Sequence, residues 1–423
     1  MIETEIVVID KLVYGGQGLA SLSSGQKVFV YGVLPKEEVK IKILKRSADY
    51  CLAELIEIIK PSSFRIQALD SNYLSTSPWQ ILNYEYENQM KVEIIQEMSS
   101  KYKFLPLIQS ITSDKKPYYY RNKMEFSFYG DELGLHLALH KRGSHAKEII
   151  QQVSIANHII MKSAQQIVDQ LESYQVRAAD LKSLIVRVDQ SNQASVALFV
   201  KKRLDLSLQL IDGIKSIKIY LSDYRSPASV ITADLFQVGQ DILQDQLLGS
   251  EKFVYSVLSF FQVNLNLYRQ ALKDMSVFVK SDQLVDYFCG VGSIGLSLSR
   301  QTKYLIDNDK FNIEFAKLNA KNFKSPAKTI LANSNQSLDL ITAKSSVIVD
   351  PPRSGLDNKF LNYLKLTKPQ KIFYLSCNPI TQFRDIDKLI DDYQIDEFKL
   401  YNFFPRTSHI ESLMILSRPD RLV

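Results

Sequence analysis

The side chain with the clearest chemical potential is the thiol of Cys377. It follows an apolar run at residues 372–375 that predicts a buried strand, and it lies within Ser-Cys-Asn-Pro, a set of residues that ends a strand. Open α/β sheets bind ligands at the carboxyl ends of their strands, so a thiol there could act as a nucleophile. Free cysteine is also a common small residue of protein cores, and position alone leaves both interpretations open.

A carboxylate occupies a comparable place earlier in the chain. Residues 346–349 are predicted to form a strand, and Asp350 follows them, with Pro351 and Pro352 next. The two prolines stiffen the loop and remove two N–H groups, which leaves the carboxylate at the carboxyl edge of the sheet. Asp350 and Cys377 are therefore predicted to face one crevice. The alternative role for Asp350, capping a helix, is disfavoured by proline at both following positions.

A glycine turn follows another predicted strand, at residues 284–288. Gly290 and Gly292 lie between that strand and a helix, and such a turn lets the backbone approach a ligand. Asp307, at the end of the next strand, can accept hydrogen bonds from both hydroxyls of a ribose. The chain has neither Gly-x-Gly-x-x-Gly nor a phosphate-binding lysine motif. This pattern favours a nucleoside such as S-adenosylmethionine, and glycines required only by the turn are the alternative.

These candidate residues need a scaffold, which the order of elements predicts. Strands and helices alternate over residues 236–423, a pattern typical of an α/β domain with a doubly wound, mostly parallel sheet. Residues 1–60 alternate apolar residues with turn signals, which predicts a small OB-like β-barrel. Residues 61–103 are predicted to form a linker and a helix that begins at Tyr84.

Residues 104–235 are predicted to form an α+β domain that binds RNA. The run Tyr-Tyr-Tyr-Arg at 118–121 begins a strand-like stretch, and basic residues recur in the loops that follow. Unpaired bases stack on aromatic rings and phosphates need cations, so this composition suits single-stranded RNA. A plain α+β domain with a solvated basic surface is the alternative.

The composition is that of a soluble globular protein. The 423 residues are 45% hydrophobic and 23% charged, with a net charge of +6 and a pI near 8.8, which allows two or three domains and an RNA partner. No apolar run approaches the ~20 residues of a membrane span, and the acidic N-terminus is unlike a signal peptide, so a cytoplasmic protein without membrane contact is expected. Three separated cysteines predict neither a disulfide framework nor a metal site.

Four motifs together resemble those of the RNA uridine-5-methyltransferase family, in the family's order. They are Phe-Phe-Gln-Val-Asn at 260–264, Asp-Pro-Pro-Arg-Ser-Gly-Leu at 350–356, Leu-Ser-Cys-Asn-Pro at 375–379 and Phe-Pro-Arg-Thr-Ser-His-Ile-Glu at 404–411. Residues 1–60 resemble the TRAM domain that precedes many members, including the type that acts on 23S rRNA. The resemblance implies an α/β, Rossmann-like class I methyltransferase domain preceded by the barrel and the RNA-binding domain.

The resemblance also implies a role for each candidate residue. Cys377 is the expected nucleophile and Glu411 the expected base, with S-adenosylmethionine as the cofactor and no metal ion. Asp350 and Gln262 are expected to contact the uracil as well as the cofactor. The residues expected around the cofactor are Gln262, Phe288, Asp307 and Asp350, with Gly290 and Gly292 shaping its turn and Asn333 nearby.

The reaction of that family suits these residue types. Carbon 5 of uracil is a poor nucleophile, and addition of a thiolate to carbon 6 turns the ring into an enolate that attacks a methyl sulfonium. A base then removes the carbon-5 proton so that the cysteine can leave. A lowered pKa is therefore expected for Cys377. The target base must leave its stack, and Phe261 or Phe404 is expected to stack on it.

The chain departs from the family pattern at three places. Many members hold a four-cysteine iron–sulfur cluster between the first two domains, but residues 62–80 contain no cysteine. No iron–sulfur cluster is expected, and this segment is predicted to pack through Trp79. Asp307 replaces the usual glutamate, with a shorter reach to the same hydroxyls. Arg406 stands where histidine is common, which predicts altered RNA contacts without loss of activity.

The predicted function is methylation of RNA uridine to 5-methyluridine by a monomeric enzyme. Because a TRAM domain is expected, 23S ribosomal RNA is favoured over tRNA, an inference from family analogy. Two alternatives stay open, a tRNA uridine-54 C5-methyltransferase and a catalytically silent RNA-binding assembly factor. The intact set of Cys377, Glu411 and Asp350 disfavours the silent factor. The two RNA-type domains disfavour methylation of cytosine in DNA.

Overall fold

The computed structural model of the chain describes residues 3–102, 104–106, 108–144, 146–226, 229–279, 283–299 and 301–419. Three of the predicted domain limits, residues 1, 103 and 423, lie outside these ranges. The described chain forms a barrel, a linker with a helix, and two larger domains that each contain a seven-stranded sheet. No helix in the described ranges is long and apolar enough to cross a membrane.

The first strands close into a barrel, as predicted. They are β1 (Thr4–Leu12), β2 (Gly18–Ser21), β3 (Lys27–Val30), β4 (Glu38–Arg46) and β5 (Tyr50–Lys60). Their order is β1-β2-β3-β5-β4, and pairing of β1 with β4 completes the closure. Apolar and polar residues alternate along β4, so Val39 and Ile41 fill the barrel while Lys40 and Lys42 lie on its outer side.

The linker packs the barrel against the rest of the chain. It contains α1 (Tyr73–Thr76) and α2 (Tyr84–Ser99), and the side chain of Asn83 caps the second helix. Trp79 is buried in an apolar cluster with Leu12 of the barrel and Met90 of α2. Its Nε1 donates to the carbonyl oxygen of Gly16 at 3.3 Å. The prediction that this segment packs through Trp79 is confirmed.

The middle domain is one mixed sheet covered by a helix. Its strands are β6 (Lys123–Asp131), β7 (Gly134–His140), β8 (Lys147–Ile149), β9 (Leu181–Val188), β10 (Ala194–Val200), β11 (Ile214–Leu221) and β12 (Ala233–Gly239). Their order is β12-β11-β10-β9-β6-β7-β8. The helix α3 (His158–Ser173) buries Ile160, Ile167 and Leu171 against this sheet. β12 crosses the predicted limit between residues 235 and 236.

The C-terminal domain has the predicted α/β fold, with a doubly wound and mostly parallel sheet. Its elements are β13 (Leu243–Gln246), β14 (Lys252–Tyr255), α4 (Leu265–Ser276), β15 (Leu284–Tyr287), α5 (Ser293–Leu298), β16 (Tyr304–Asp307), α6 (Lys310–Asn322), β17 (Lys328–Leu331), β18 (Ser346–Val349), α7 (Asn358–Thr367), β19 (Lys371–Ser376), α8 (Pro379–Asp387), β20 (Gln394–Tyr401) and β21 (Glu411–Ser417). The main sheet has the order β17-β16-β15-β18-β19-β21-β20. Both faces of this sheet are covered by apolar clusters. Phe373 of β19 packs into the cluster on one face, and its neighbour Tyr374 packs into the cluster on the other.

The strand directions bring the candidate residues to one edge of this sheet. β15, β16, β18 and β19 run parallel, so their carboxyl ends share that edge. β21 lies between β19 and β20 and runs antiparallel to both, which brings its amino end to the same edge. Ser376 pairs with Ser412. Cys377 and Glu411 are therefore the next opposed residues beyond that pair.

A buried carboxylate on α2 fastens the linker to the C-terminal domain. Oε1 of Glu87 accepts a hydrogen bond from Nζ of Lys91 at 2.9 Å, and neither side chain has exposed surface. The same oxygen accepts from Nδ2 of Asn402 at 3.1 Å and from the backbone N–H of Arg406 at 3.0 Å. Burial lowers the pKa of Lys91, and the charge of Glu87 opposes that shift. These bonds hold residues 402–406 against the linker helix.

Arg406 belongs to this cluster and is only 4% exposed. Its Cζ lies 4.9 Å from the ring centroid of Tyr84 and 4.8 Å from that of Tyr118. Its Nη1 donates to the carbonyl oxygen of Leu82 at 2.7 Å and lies 3.7 Å from Oε2 of Glu87. Because the guanidinium is enclosed by the protein, it offers no direct contact to RNA, and the predicted change in RNA contacts at this position stays a prediction.

Glu87→Gln is expected to lower the free energy of unfolding by about 3–5 kcal/mol, because it removes one member of a buried set of charges. Lys91 and Arg406 would then be buried with no carboxylate between them. Glu93→Gln is the matched control, since Glu93 lies on the same helix and is exposed. Urea denaturation of the three proteins measures the difference, and equal midpoints for both variants would contradict the prediction.

Candidate active site

Cys377 and Glu411 lie where β19 ends and β21 begins. Cys377 directly follows the last residue of β19, and its side chain is partly exposed, whereas Cys51 and Cys289 are buried. Glu411 is the first residue of β21 and is 1% exposed. The negative charge of Glu411 is one of the causes that raise the pKa of Cys377, so the two groups share one crevice.

The carboxyl group of Glu411 is buried and has a spare oxygen. Its Oε1 has no hydrogen-bond partner within the described residues. Burial raises the pKa of Glu411 well above its ordinary value, the charge of Asp350 adds to this, and Arg353 opposes it. A buried carboxyl group with a free oxygen and a raised pKa can accept a proton near neutral pH, which is the property of a general base.

The expected low pKa of Cys377 is wrong for this structure. Burial raises the pKa of the thiol to about 11, with the charges of Glu411 and Asp350 as further causes. The strand end could be read from the sequence, but the presence of two carboxyl groups in the same crevice depends on the packing of distant strands. The thiol therefore needs a nearby cation to ionise.

Arg353 is the cation that opposes this shift. Its charge and its hydrogen bond to the thiol both lower the pKa of Cys377. Nη2 of Arg353 also donates to Nδ1 of His409 at 3.0 Å. Burial, followed by the charge of Arg353, lowers the pKa of His409 to about 4, so this imidazole is neutral at pH 7. The positive charge beside the thiol thus comes from Arg353.

Asp350 and Gln262 lie together beside the thiol. Asp350 follows β18 and does not cap a helix, since Asp357 is the N-cap of α7. Burial raises the pKa of Asp350 to about 7, and a hydrogen bond from the side chain of Gln262 lowers it. Gln262 is itself 7% exposed. A carboxyl group and an amide side by side offer the donors and acceptors that the edge of a uracil ring requires.

The glycine turn approaches Asp307 with its backbone. The N–H of Gly290 donates to Oδ2 of Asp307 at 2.9 Å. Gly290 and Gly292 have φ angles of 55° and 82°, a region that favours glycine. A Cβ added at Gly292 would lie 3.0 Å from the side chain of Leu305. The turn therefore stays free of side chains and leaves its backbone close to the carboxylate.

A cavity of about 170 Å³ opens beside this turn and is lined by Phe288, Asp307, Asn333 and their neighbours. Burial raises the pKa of Asp307, and the N–H groups of Asp309 and Gly290 oppose that shift. Oδ1 of Asn333 accepts from Nδ2 of Asn308 at 3.2 Å. A carboxylate, an aromatic ring and an amide around a glycine turn fit the nucleoside of S-adenosylmethionine.

Phe261 cannot stack on a target base, contrary to the prediction. It is 3% exposed, and its ring stacks on Tyr255 with the centroids 4.4 Å apart. Phe260 is instead 57% exposed, and its carbonyl oxygen would lie 3.3 Å from a Cβ on Gly290. Phe404 is partly exposed, as a stacking role requires. Of two adjacent phenylalanines, the sequence could not show which one faces the crevice.

A residue of the barrel also reaches this crevice. Oη of Tyr14 donates to Oδ1 of Asn378 at 3.1 Å, and Nδ2 of Asn378 donates to the carbonyl oxygen of Arg353 at 2.8 Å. Burial raises the pKa of Tyr14 to about 12, and Cys377 and Glu411 are among the charged groups that affect it. Sequence reasoning missed Tyr14, because no local pattern links it to residues more than 300 positions away.

Comparison with known proteins identifies relatives along almost the whole chain. The sequence model of the tRNA (uracil-5-)-methyltransferase family matches residues 83–330 and 301–419. A protein of Thermotoga maritima described as an uncharacterized RNA methyltransferase is 27% identical over 99% of this chain and 100% of its own length. One of Enterococcus faecalis with the same description is 28% identical over 98% of this chain and 97% of its own length.

A solved structure is similar across the same length. The tRNA (uracil-54, C5)-methyltransferase of Pyrococcus abyssi, in complex with S-adenosyl-L-homocysteine, superposes with a TM-score of 0.81. It is 21% identical in sequence and covers 97% of this chain and 100% of its own. The likeness shows that the two chains share one fold, including the barrel.

Alkylation of Cys377 by iodoacetamide, followed by mass spectrometry, tests the effect of Arg353 on the thiol. Because the pKa lies at about 11, the rate is expected to rise about tenfold per pH unit from pH 7 to pH 10. Arg353→Gln lowers the rate at each pH, and Arg353→Lys, which keeps the charge, lowers it less. Glu411→Gln raises it, since a negative charge is removed. A plateau at or below pH 8 in the wild type would contradict the assignment.

Proposed function

The chain belongs to the tRNA (uracil-5-)-methyltransferase family, and we propose that it forms 5-methyluridine in RNA with S-adenosylmethionine as methyl donor. The observation that carries this proposal is the pairing of Ser376 with Ser412, which leaves Cys377 and Glu411 at the next facing positions, where the charge of Glu411 acts on the thiol. A thiol and an unpaired carboxyl oxygen at one crevice supply the nucleophile and the base that methylation of carbon 5 requires.

The cofactor is assigned to the cavity beside the glycine turn. S-adenosylmethionine supplies an electrophilic methyl group on a sulfonium. Asp307 accepts hydrogen bonds from the ribose hydroxyls, and Phe288 and Asn333 line the nucleoside cavity. Gly290 and Gly292 keep the turn open to the ligand. Asp350 and Gln262 are hydrogen-bonded to each other, and the charge of Asp350 acts on the thiol, so we assign this pair to both cofactor and uracil.

Cys377 acts first in the proposed reaction. Its thiolate forms a bond from Sγ to carbon 6 of the uracil, and the electron pair of the 5,6 double bond is delocalised over carbon 5 and the carbonyl oxygen at carbon 4. The resulting enolate is nucleophilic at carbon 5. After carbon 5 has been methylated, Glu411 removes the remaining proton from it. The double bond re-forms, the bond from Sγ to carbon 6 breaks, and the thiolate is released. Arg353 stabilises that thiolate at both stages.

The raised pKa of Glu411 suits the end of this cycle. Elimination leaves a thiolate on Cys377 and a proton on Glu411, so a neutral carboxyl group then faces the negative sulfur. Burial favours the neutral form of Glu411, and this removes the repulsion that otherwise raises the pKa of the thiol. Loss of the proton to solvent restores the base for the next uridine.

The proposed function also assigns a role to each domain. We assign residues 1–60 to a TRAM domain, 61–103 to a linker and helix without cluster cysteines, 104–235 to an RNA-binding domain and 236–423 to the methyltransferase domain. The closed barrel and the basic outer side of β4 support the first assignment. Asn122 and Arg187 of the mixed sheet donate hydrogen bonds to backbone carbonyl oxygens at residues 262 and 259, next to the proposed uracil site. This contact supports the assignment of residues 104–235 as an RNA-binding domain.

For the target, we propose 23S ribosomal RNA, on the ground that a TRAM domain precedes the methyltransferase domain. A specific observation favours a second candidate. The tRNA (uracil-54, C5)-methyltransferase of Pyrococcus abyssi matches 97% of this chain, so a tRNA enzyme is built on the same barrel and sheets. The same fold can therefore serve a tRNA substrate, and the two candidates are distinguished with separate RNA substrates.

Incubation of the protein with methyl-labelled S-adenosylmethionine and with unmodified transcripts of 23S rRNA or tRNA tests the proposal. We expect label in the 23S transcript, recovered as 5-methyluridine by mass spectrometry of the nucleosides. Label in tRNA alone would support the proposed reaction and would show that tRNA, and not 23S rRNA, is the target. A folded protein that labels neither RNA would overturn the proposed function and favour a silent RNA-binding factor.

Two substitutions separate the nucleophile from the base. Cys377→Ala is expected to lower turnover on the order of 10⁴-fold, because no covalent bond to carbon 6 can form. Glu411→Gln is expected to lower turnover about 10²–10⁴-fold and to trap a protein–RNA adduct that survives denaturing electrophoresis. Cys51→Ala is the control, since that thiol is buried in the barrel. An adduct that persists in Cys377→Ala/Glu411→Gln would show that another residue is the nucleophile.

A further inference from the structure

A second groove, of about 910 Å³, lies between the middle domain and the amino end of α4. Its residues lie apart from those of the cavity beside Asp307. We call it the tyrosine groove and define it by Lys115, Lys116, Tyr119, Asn122, Asn264 and Arg269. The proposed mechanism uses none of these side chains.

An aromatic ring stands on the wall of the tyrosine groove. Tyr119 is 40% exposed, and its ring stacks on His158 with the centroids 3.9 Å apart and the planes 27° apart. Its φ is +57°, which is costly for a bulky residue. The backbone is held there by the N–H of Tyr119, which donates to the carbonyl oxygen of Ser154 at 2.9 Å. One face of the Tyr119 ring thus packs on His158, while the side chain remains exposed to a ligand.

Asn122, one of the residues that line the groove, has a buried and unpaired polar atom. Asn122 is 7% exposed, and its Oδ1 has no hydrogen-bond partner within the described residues. Its Nδ2 donates to the carbonyl oxygen of Gln262 at 3.3 Å. A buried amide oxygen without a donor is costly, so a ligand N–H or O–H group that reached it from the groove would be stabilised.

The charges around the tyrosine groove favour an anion. Lys115 and Lys116 are exposed and form no ion pair within the described part of the chain. Arg269 donates to the carbonyl oxygen of Gln246 at 2.8 Å, and the nearby carboxylate of Asp245 partly offsets its charge. Asn157 and Asn264, the N-caps of α3 and α4, also line the groove, so two helix amino ends add positive potential.

Two acidic residues line the groove as well, and both have partners. Oδ2 of Asp189 lies 3.0 Å from Nζ of Lys215, and Oδ2 of Asp114 accepts a hydrogen bond from Nδ2 of Asn266 at 2.9 Å. The ion pair with Lys215 partly offsets the charge of Asp189, and the carboxylate of Asp114 accepts a hydrogen bond. Lys115 and Lys116 are exposed and can contact a ligand. The charged residues that line the groove are three cations and two carboxylates, so their net charge is positive.

We infer that the tyrosine groove binds a single-stranded segment of the substrate RNA, with one unpaired base stacked on Tyr119. The inference rests on the proposed function and goes beyond it by assigning a second nucleotide site. A stacking ring, an amide oxygen that lacks a donor and flexible lysines match a base face, a base edge or 2′-hydroxyl, and phosphates. Asn122 holds the carbonyl of Gln262, so this site adjoins the uracil site and takes a nucleotide that flanks the target.

Substitution of Tyr119 tests the stacking contact. With the transcript that the wild type methylates, Tyr119→Ala is expected to raise KM for RNA about tenfold and to leave kcat within about twofold, because one stacked base is lost. Tyr119→Phe keeps the ring and should stay close to the wild type in both constants. A purely structural role would lower thermal stability in Tyr119→Ala without this split, and an unchanged KM would overturn the inference.

The two lysines are tested by the dependence of KM on salt. In Lys115→Gln/Lys116→Gln, the slope of log KM against log salt concentration is expected to fall by about 1.4, since two phosphate contacts to a single strand are removed at about 0.7 each. Lys162→Gln is the matched control, because Lys162 is an exposed residue of the same domain outside the groove. Equal slopes for all three proteins would contradict the assignment.

Failure of the inference can be told apart from failure of the proposed function. A wild type that methylates neither 23S rRNA nor tRNA refutes the function, and the groove is then tested by fluorescence anisotropy with a labelled oligouridine of twelve nucleotides. Tighter binding by the wild type and by Tyr119→Phe than by Tyr119→Ala supports the groove. Equal affinities, or no binding by the wild type, would refute it.

Discussion

The pairing of β21 with β19 is the constraint on which the rest of the site depends. The ladder opposes Ser376 to Ser412, and the next position brings a thiol and a carboxyl group together. A slip of one residue in this register would turn every side chain of β21 to the opposite face and remove Glu411 from the crevice. Because β21 is held by β19 on one side and β20 on the other, both ladders oppose such a slip.

The site concentrates negative groups where the surrounding protein keeps water out. Glu411 and Asp350 have raised pKa values, and together with burial they raise the pKa of Cys377 as well. Burial of several acidic groups together lowers the stability of the folded protein. The same burial suits catalysis, because buried groups with shifted pKa values exchange protons readily near neutral pH. Arg353 opposes these shifts, since its positive charge lowers the pKa of both the thiol and Glu411.

Local patterns in the sequence predicted the α/β sheet, the barrel and the strand ends that carry Cys377, Asp350 and Asp307, because each depends on a few consecutive residues. Contacts between distant segments could not be predicted in this way. The choice between Phe260 and Phe261 and the raised pKa of Cys377 depend on how strands pack across the domain. The contact of Tyr14 with Asn378 joins the first domain to the last, and no periodicity encodes it.

The enclosure of Arg406 has a consequence for how such a chain can diverge. Its guanidinium is bounded by Tyr84, Tyr118 and Glu87, so the four positions cannot drift independently. A lineage that exchanges Arg406 for a smaller residue inherits an unneutralised acid and a void until its neighbours are replaced. The order in which such replacements can be tolerated is therefore restricted, because each one changes the packing and charge around the other three positions.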